Sequence, residues 1–135
     1  MEHPENESEL NPPDENSRKV SGDLKERTKS FALRVIRLYC ALPQTVLAQT
    51  LGKQVLRSAT SVGAHYREGM RARSNAEFIS KIEGGLQELE ETTYWFELLI
   101  ESKVITAHKL GALQKEADEL MAILVKSVKT AKARK

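Results

Sequence analysis

The stretch from Arg57 to Leu99 constrains this chain most, because it reads as two long helices and the corner between them. The first carries small residues along one side: Ser58, Ala59, Ser61, Gly63 and Ala64. The corner falls at Arg73-Ser74, and the second helix opens with Ser74-Asn75-Ala76-Glu77. That pattern is a capping box, in which the serine hydroxyl accepts from the amide three residues on and Glu77 reaches back to the Ser74 amide. Gly84 and Gly85 then stand side by side in mid-helix, at a cost of roughly 1 kcal/mol each relative to alanine. Two glycines retained there predict a close helix contact, with the small side of the first helix as its partner.

The rest of the chain repeats the helical theme. Leu24, Thr28, Phe31, Val35, Leu38 and Leu42 recur at alternating spacings of four and three, which is one face of a helix from about Leu24 to Leu42. Pro43 ends it and suits the first turn of the next helix, expected from about Gln44 to Ala72. Leu51, Val55, Ala59, Val62, Tyr66, Gly69 and Met70 form that helix's inner face. The third helix, from about Asn75 to Glu101, buries Phe78, Ile82, Leu86, Leu89, Thr93, Phe96 and Ile100. Ser102 to Ile105 read as a loop, and Thr106 as the cap of a last helix carrying Leu110, Leu113, Ala117, Leu120, Leu124 and Val128. No strand alternation occurs. The expectation is all-α: an antiparallel up-down-up-down four-helix bundle over residues 23–135. Residues 1–22, rich in Glu, Asn, Ser and Pro, read as a disordered acidic arm.

Charge is divided unevenly. Six acids (Glu2, Glu5, Glu7, Glu9, Asp14, Glu15) and no Lys or Arg occupy residues 1–17. Removing those six from the 19 acids leaves 13 against 21 bases, a net charge of +8 for the remaining body. A basic body attracts nucleic acid or an acidic protein; equally, charge of this kind keeps a surface solvated. No apolar run is long enough to span a bilayer, and the acidic N-terminus is no signal peptide. The lone Cys40 excludes an intrachain disulfide and suits a reducing cytoplasm.

Catalytic chemistry finds little support. A di-iron bundle needs inward glutamates and Glu-x-x-His on two helices; this chain offers the reverse, His65-x-x-Glu68, once, while His3 lies in the arm and His108 near a helix start. No metal or cofactor is expected. Cys40 beside an apolar face reads as a small buried residue, and no catalytic residues are assigned. The glutamates of the third helix read as a solvated face, some of them pairing with Arg57, Arg67 or Arg71. The candidate nucleic-acid contacts are Arg67, Arg71 and Arg73 at the end of the second helix and Lys126, Lys129, Lys132 and Arg134 in the basic tail. The same cations complement helix dipoles, and no aromatic stacking platform accompanies them. Trp95, Leu98 and Leu99 exceed what one bundle core requires and are the candidate oligomer interface.

The run from Gly52 to Leu99 resembles the bacterial four-helix bundle proteins related to the 23S rRNA intervening-sequence proteins. The residues that carry the resemblance are Arg57-Ser58, Thr60-Ser61-Val62, Arg67-Glu68-Gly69, Arg73-Ser74, Glu77-Phe78 and Glu88-Leu89-Glu90-Glu91-Thr92. It extends more weakly through the first and fourth helices, and it departs at His65, where the family usually has Asn. Members are similar to an accessory protein of diversity-generating retroelements, a homopentameric barrel that works with a reverse transcriptase and nucleic acid. The resemblance thus implies self-association, with five copies favoured, and a nucleic-acid context with RNA, DNA or a reverse transcriptase as partner. It brings no catalytic residues. The expected function is that of a non-enzymatic oligomeric adaptor in the cytoplasm. The alternative is a structural protein-interaction module with no nucleic-acid role.

Overall fold

The computed structural model describes residues 16–134, with side chains from Asp23 onward. Its four helices are α1 (Asn16–Ala41), α2 (Val46–Met70), α3 (Asn75–Glu101) and α4 (Ala107–Ala133). Each has 25 to 27 residues, or roughly 40 Å at 1.5 Å per residue. α1 and α3 both pack on α2 and on α4, while the backbones of the diagonal pairs stay apart. Short connections make sequential neighbours antiparallel. The bundle expected from the three-four spacing is therefore observed. α1 begins upstream of the Leu24 start that its apolar stripe suggests. The acidic arm expected over 1–22 falls on residues 1–15, outside those described, and on seven residues whose side chains are also outside them.

Polar caps set the helix starts. Thr45 Oγ1 accepts from Ala48 N at 3.1 Å, Ser74 Oγ from Glu77 N at 3.0 Å, and Thr106 Oγ1 from Lys109 N at 3.3 Å. Each satisfies a first-turn amide that has no partner within its helix. Pro43 lies ahead of the Thr45 cap rather than in the first turn of α2. The return half of the capping box also differs from expectation: Glu77 Oε1 accepts from Arg73 N, at 3.0 Å, one residue before the cap. The C-terminus of α3 closes without glycine. Lys103 adopts φ 66°, with Lys103 N donating to Ile100 O at 2.9 Å and Val104 N to Leu99 O at 3.0 Å. These are the two bonds of a Schellman motif.

The expected apolar faces of α1, α2 and α4 are largely buried, with Leu38 half-buried and Met70 exposed. In α3 the register differs. Its buried positions are Ile82, Gly85, Leu89, Thr92, Phe96 and Leu99, while Phe78, Leu86, Thr93 and Ile100 are only half-buried. The reason lies in the α2 contact. Gly85 and Thr92 turn toward α2, where the Ser58 and Thr92 hydroxyls meet at 2.7 Å inside the core. Thr92 Oγ1 also reaches Glu88 O at 2.8 Å and Ser58 Oγ reaches Val55 O at 3.4 Å, so either hydroxyl can donate within the pair. Small and mutually satisfied side chains let α3 rotate this edge inward. Across the diagonal, Phe31 of α1 and Phe96 of α3 meet edge to face, with centroids 6.5 Å apart.

Glycine sets the α1–α2 approach as well. A Cβ at Gly63 would lie 3.2 Å from Thr28 Oγ1, and one at Gly52 would lie 2.6 Å from Leu42 Cδ1. Gly52 is thus the seat of Leu42 and Tyr39 on α2. Cys40, expected to be buried, is exposed: five residues beyond Val35, it sits about 140° around the helix from that core position.

Candidate nucleic-acid interface

α2 and α4 both finish at the end of the bundle where α3 begins. Asn75, the first residue of α3, ties this end together: its Nδ2 donates to Ala131 O of α4 at 2.7 Å. The α2–α3 corner, with Arg71 and Arg73, is thereby held beside the last turns of α4, with Lys129, Lys132 and Arg134. Arg71 caps α2, its amide donating to Glu68 O at 3.1 Å, and the Arg73 amide is held by Glu77. Both guanidinium groups remain exposed, as do Lys126, Lys129, Lys132 and Arg134, whereas Arg67 is half-buried.

The charges here are only partly neutralised. Lys132 Nζ meets Glu83 Oε2 at 3.1 Å, and Lys81 Nζ meets Glu68 Oε1 at 3.2 Å. Arg71, Arg73, Lys126, Lys129 and Arg134 make no ion pair among the described residues. Exposed cations without carboxylate partners suit phosphate oxygens, which fix position without reading base sequence. Among the described residues, no three or more His, Cys, Asp or Glu gather as a metal site would require.

Away from this end, Arg57 and Arg27 are both paired. Arg57 pairs with Glu88 and Glu91, and Glu91 also accepts from Trp95 Nε1 at 3.0 Å. The Trp95 hydrogen bond, followed by Arg57, holds the Glu91 carboxyl below the ordinary glutamate range. Arg27 reaches from α1 to Glu116 at 2.8 Å and Glu119 at 3.0 Å on α4. The Glu116 hydrogen bond is the largest contribution raising its pKa. Of the residues expected to face another subunit, Leu99 is fully buried in the chain's own core, because the rotated α3 turns it inward. Trp95 and Leu98 are half-buried. Tyr94, which the sequence reading passed over, is 51% exposed and its ring lies 5.1 Å from that of Trp95. Val46 and Leu47 are exposed near the start of α2.

The sequence profile of the 23S rRNA-intervening sequence proteins matches residues 23–126. The chain belongs to that family. A solved structure agrees in fold: a protein of unknown function from the S23 ribosomal protein family of Bacteroides thetaiotaomicron. It superposes with a TM-score of 0.76 at 36% identity, covering 81% of this chain and 97% of that one. No curated protein matches. Within this intervening-sequence protein, the family region takes in Arg67, Arg71, Arg73, Trp95 and Leu98. It ends at Lys126, so Lys129, Lys132 and Arg134 lie beyond it. No described helix is long and apolar enough to cross a membrane.

Proposed function

We propose that this intervening-sequence protein is a non-enzymatic adaptor that self-associates and binds nucleic acid through the basic end of its bundle. One observation carries the reading: the Asn75–Ala131 hydrogen bond sets the α2–α3 corner, with Arg71 and Arg73, against the basic last turns of α4. A repeated copy of this end would add avidity. The half-buried Trp95 and Leu98, with Tyr94 beside them, are the surface for self-association, and the family resemblance favours five copies. A reverse transcriptase is the protein partner that the same resemblance suggests. The setting is cytoplasmic, where an exposed thiol such as Cys40 persists in reduced form.

Fluorescence anisotropy with labelled single-stranded RNA and duplex DNA tests the reading. Binding should be weakly sequence-dependent and fall steeply with salt, because neutralised phosphates release counterions. Arg71→Ala with Arg73→Ala should reduce the slope of log K against log salt by roughly two with unchanged helicity. Removal of residues 1–17 should strengthen binding, since the six acids of that segment compete for the basic end. No binding at low salt, with or without that segment, would favour the protein-interaction module instead. Light scattering that reports a monomer at micromolar concentration would defeat self-association, and a dimer would reject only the count of five.

A further inference from the structure

The opposite end of the bundle carries a second, chemically different feature. α1 and α4 make the thinnest contact of the four adjacent helix pairs. Arg27, paired with Glu116 and Glu119, bridges them near mid-length. Toward the end of α1 and the start of α4 the seam opens into a groove of about 860 Å³. Arg34 and Arg37 line it from α1, and His108 and Lys109 from α4; no Asp or Glu does. None of these four side chains makes a hydrogen bond or ion pair among the described residues. Arg34 is half-buried as a residue and, unlike Arg27 two turns earlier, has no carboxylate partner among the described residues.

The remaining lining is almost wholly aliphatic, with Leu38, Leu42, Val104, Ile105 and Leu113 its largest members. Thr106, already engaged as the α4 cap, is the sole hydroxyl there. No Phe, Tyr or Trp lines the groove, so the large aromatic platform on which single-strand binders stack bases is missing from it. Cations on both walls and an aliphatic lining between them match a ligand with an anionic head and an alkyl body.

We infer that this groove binds a free single-chain aliphatic anion, its carboxylate or phosphate head between Arg34, Arg37 and Lys109 and its alkyl chain along Leu38, Val104 and Ile105. The site is independent of the nucleic-acid reading, which concerns the other end of the bundle.

Dansyl-undecanoate is the probe, titrated into the full chain and followed by its emission. Dodecanoate and dodecyl phosphate should displace it, octanoate more weakly than dodecanoate, and inorganic phosphate not at all. Arg34→Gln with Arg37→Gln should weaken binding about tenfold or more, because two charge-assisted hydrogen bonds are lost. Lys29→Gln with Lys53→Gln removes the same charge from exposed positions outside the groove and should leave binding unchanged. Circular dichroism checks that both double variants fold. No probe response, equal losses in the two double variants, or displacement by dodecyltrimethylammonium as effective as by dodecanoate would each overturn the inference. So would association with phosphatidylglycerol vesicles in the absence of any binding to the free anions.

Discussion

The His65 ring of α2 packs onto the backbone of α3 at Gly84: a Cβ placed there would lie 2.7 Å from His65 Cδ2 and 2.9 Å from Nε2. His65 Nδ1 lies 3.0 Å from Ser61 O, and since a carbonyl only accepts, Nδ1 carries the proton. The ring is thus fixed by its own helix and leaves room opposite for nothing larger than hydrogen.

Gly84→Ala should therefore destabilise, by about 1 kcal/mol net, although alanine is the better helix former. In a His65→Ala background the same substitution should stabilise by up to about 1 kcal/mol, because only the helix propensity remains. Denaturant titrations of the double-mutant cycle measure the coupling. Additive effects would show that the ring is free to move aside.

Ser74→Ala removes the α3 cap and should cost about 1 kcal/mol, a fall in melting temperature of roughly 4 °C for a bundle of this size. Glu77→Ala, which frees the Arg73 amide at an exposed corner, should cost less. Calorimetry that ranks Glu77→Ala above Ser74→Ala would reverse the assignment of the dominant cap.

Lys103 holds the left-handed position after α3 without being glycine. Lys103→Gly removes the Cβ contact that disfavours this conformation and should stabilise by about 1 kcal/mol, less the extra chain entropy of glycine. A lowered melting temperature would mean that the lysine side chain supports the turn.

Trp95 is the chain's single tryptophan, and its indole donates to Glu91. With the Glu91 pKa lowered in the folded state, the stability it contributes is present above its unfolded pKa and is lost as pH falls through the folded value. Glu91 and Arg57 are too exposed for a large effect on melting, so tryptophan emission is the better reporter. Its acid titration should centre below the ordinary glutamate range, rise toward it in Arg57→Gln and vanish in Glu91→Gln. A wild-type midpoint at the ordinary value would contradict the Trp95–Glu91 contact.

The helices were legible because their signals are local. Ser74 and Thr106 satisfy amides three residues away, and the α4 stripe from Leu110 to Val128 follows the 3.6-residue period of a single helix. The candidate interface was legible only as a set of cations. Arg71 and Lys129 are distant in sequence, and nothing in either neighbourhood says that Asn75 will bond Ala131. The rotation of α3 was likewise decided between helices. Thr92 and Thr93 have the same side chain, and Leu98 and Leu99 likewise, so periodicity leaves a one-residue ambiguity, about 100° of rotation, in which of each pair faces inward. Ser58 and the approach permitted at Gly85 chose Thr92, and with it Leu99, which is why a residue expected on a subunit surface lies in the core. The groove is the extreme case: its lining comes from α1, the α3–α4 connection and α4, segments far apart in sequence. Local sequence thus determined where this chain forms helices and which caps start α3 and α4, since those forces act within a turn or two. Contacts between helices decided which face of α3 is buried, which cations gather at one end, and where the bundle stays open.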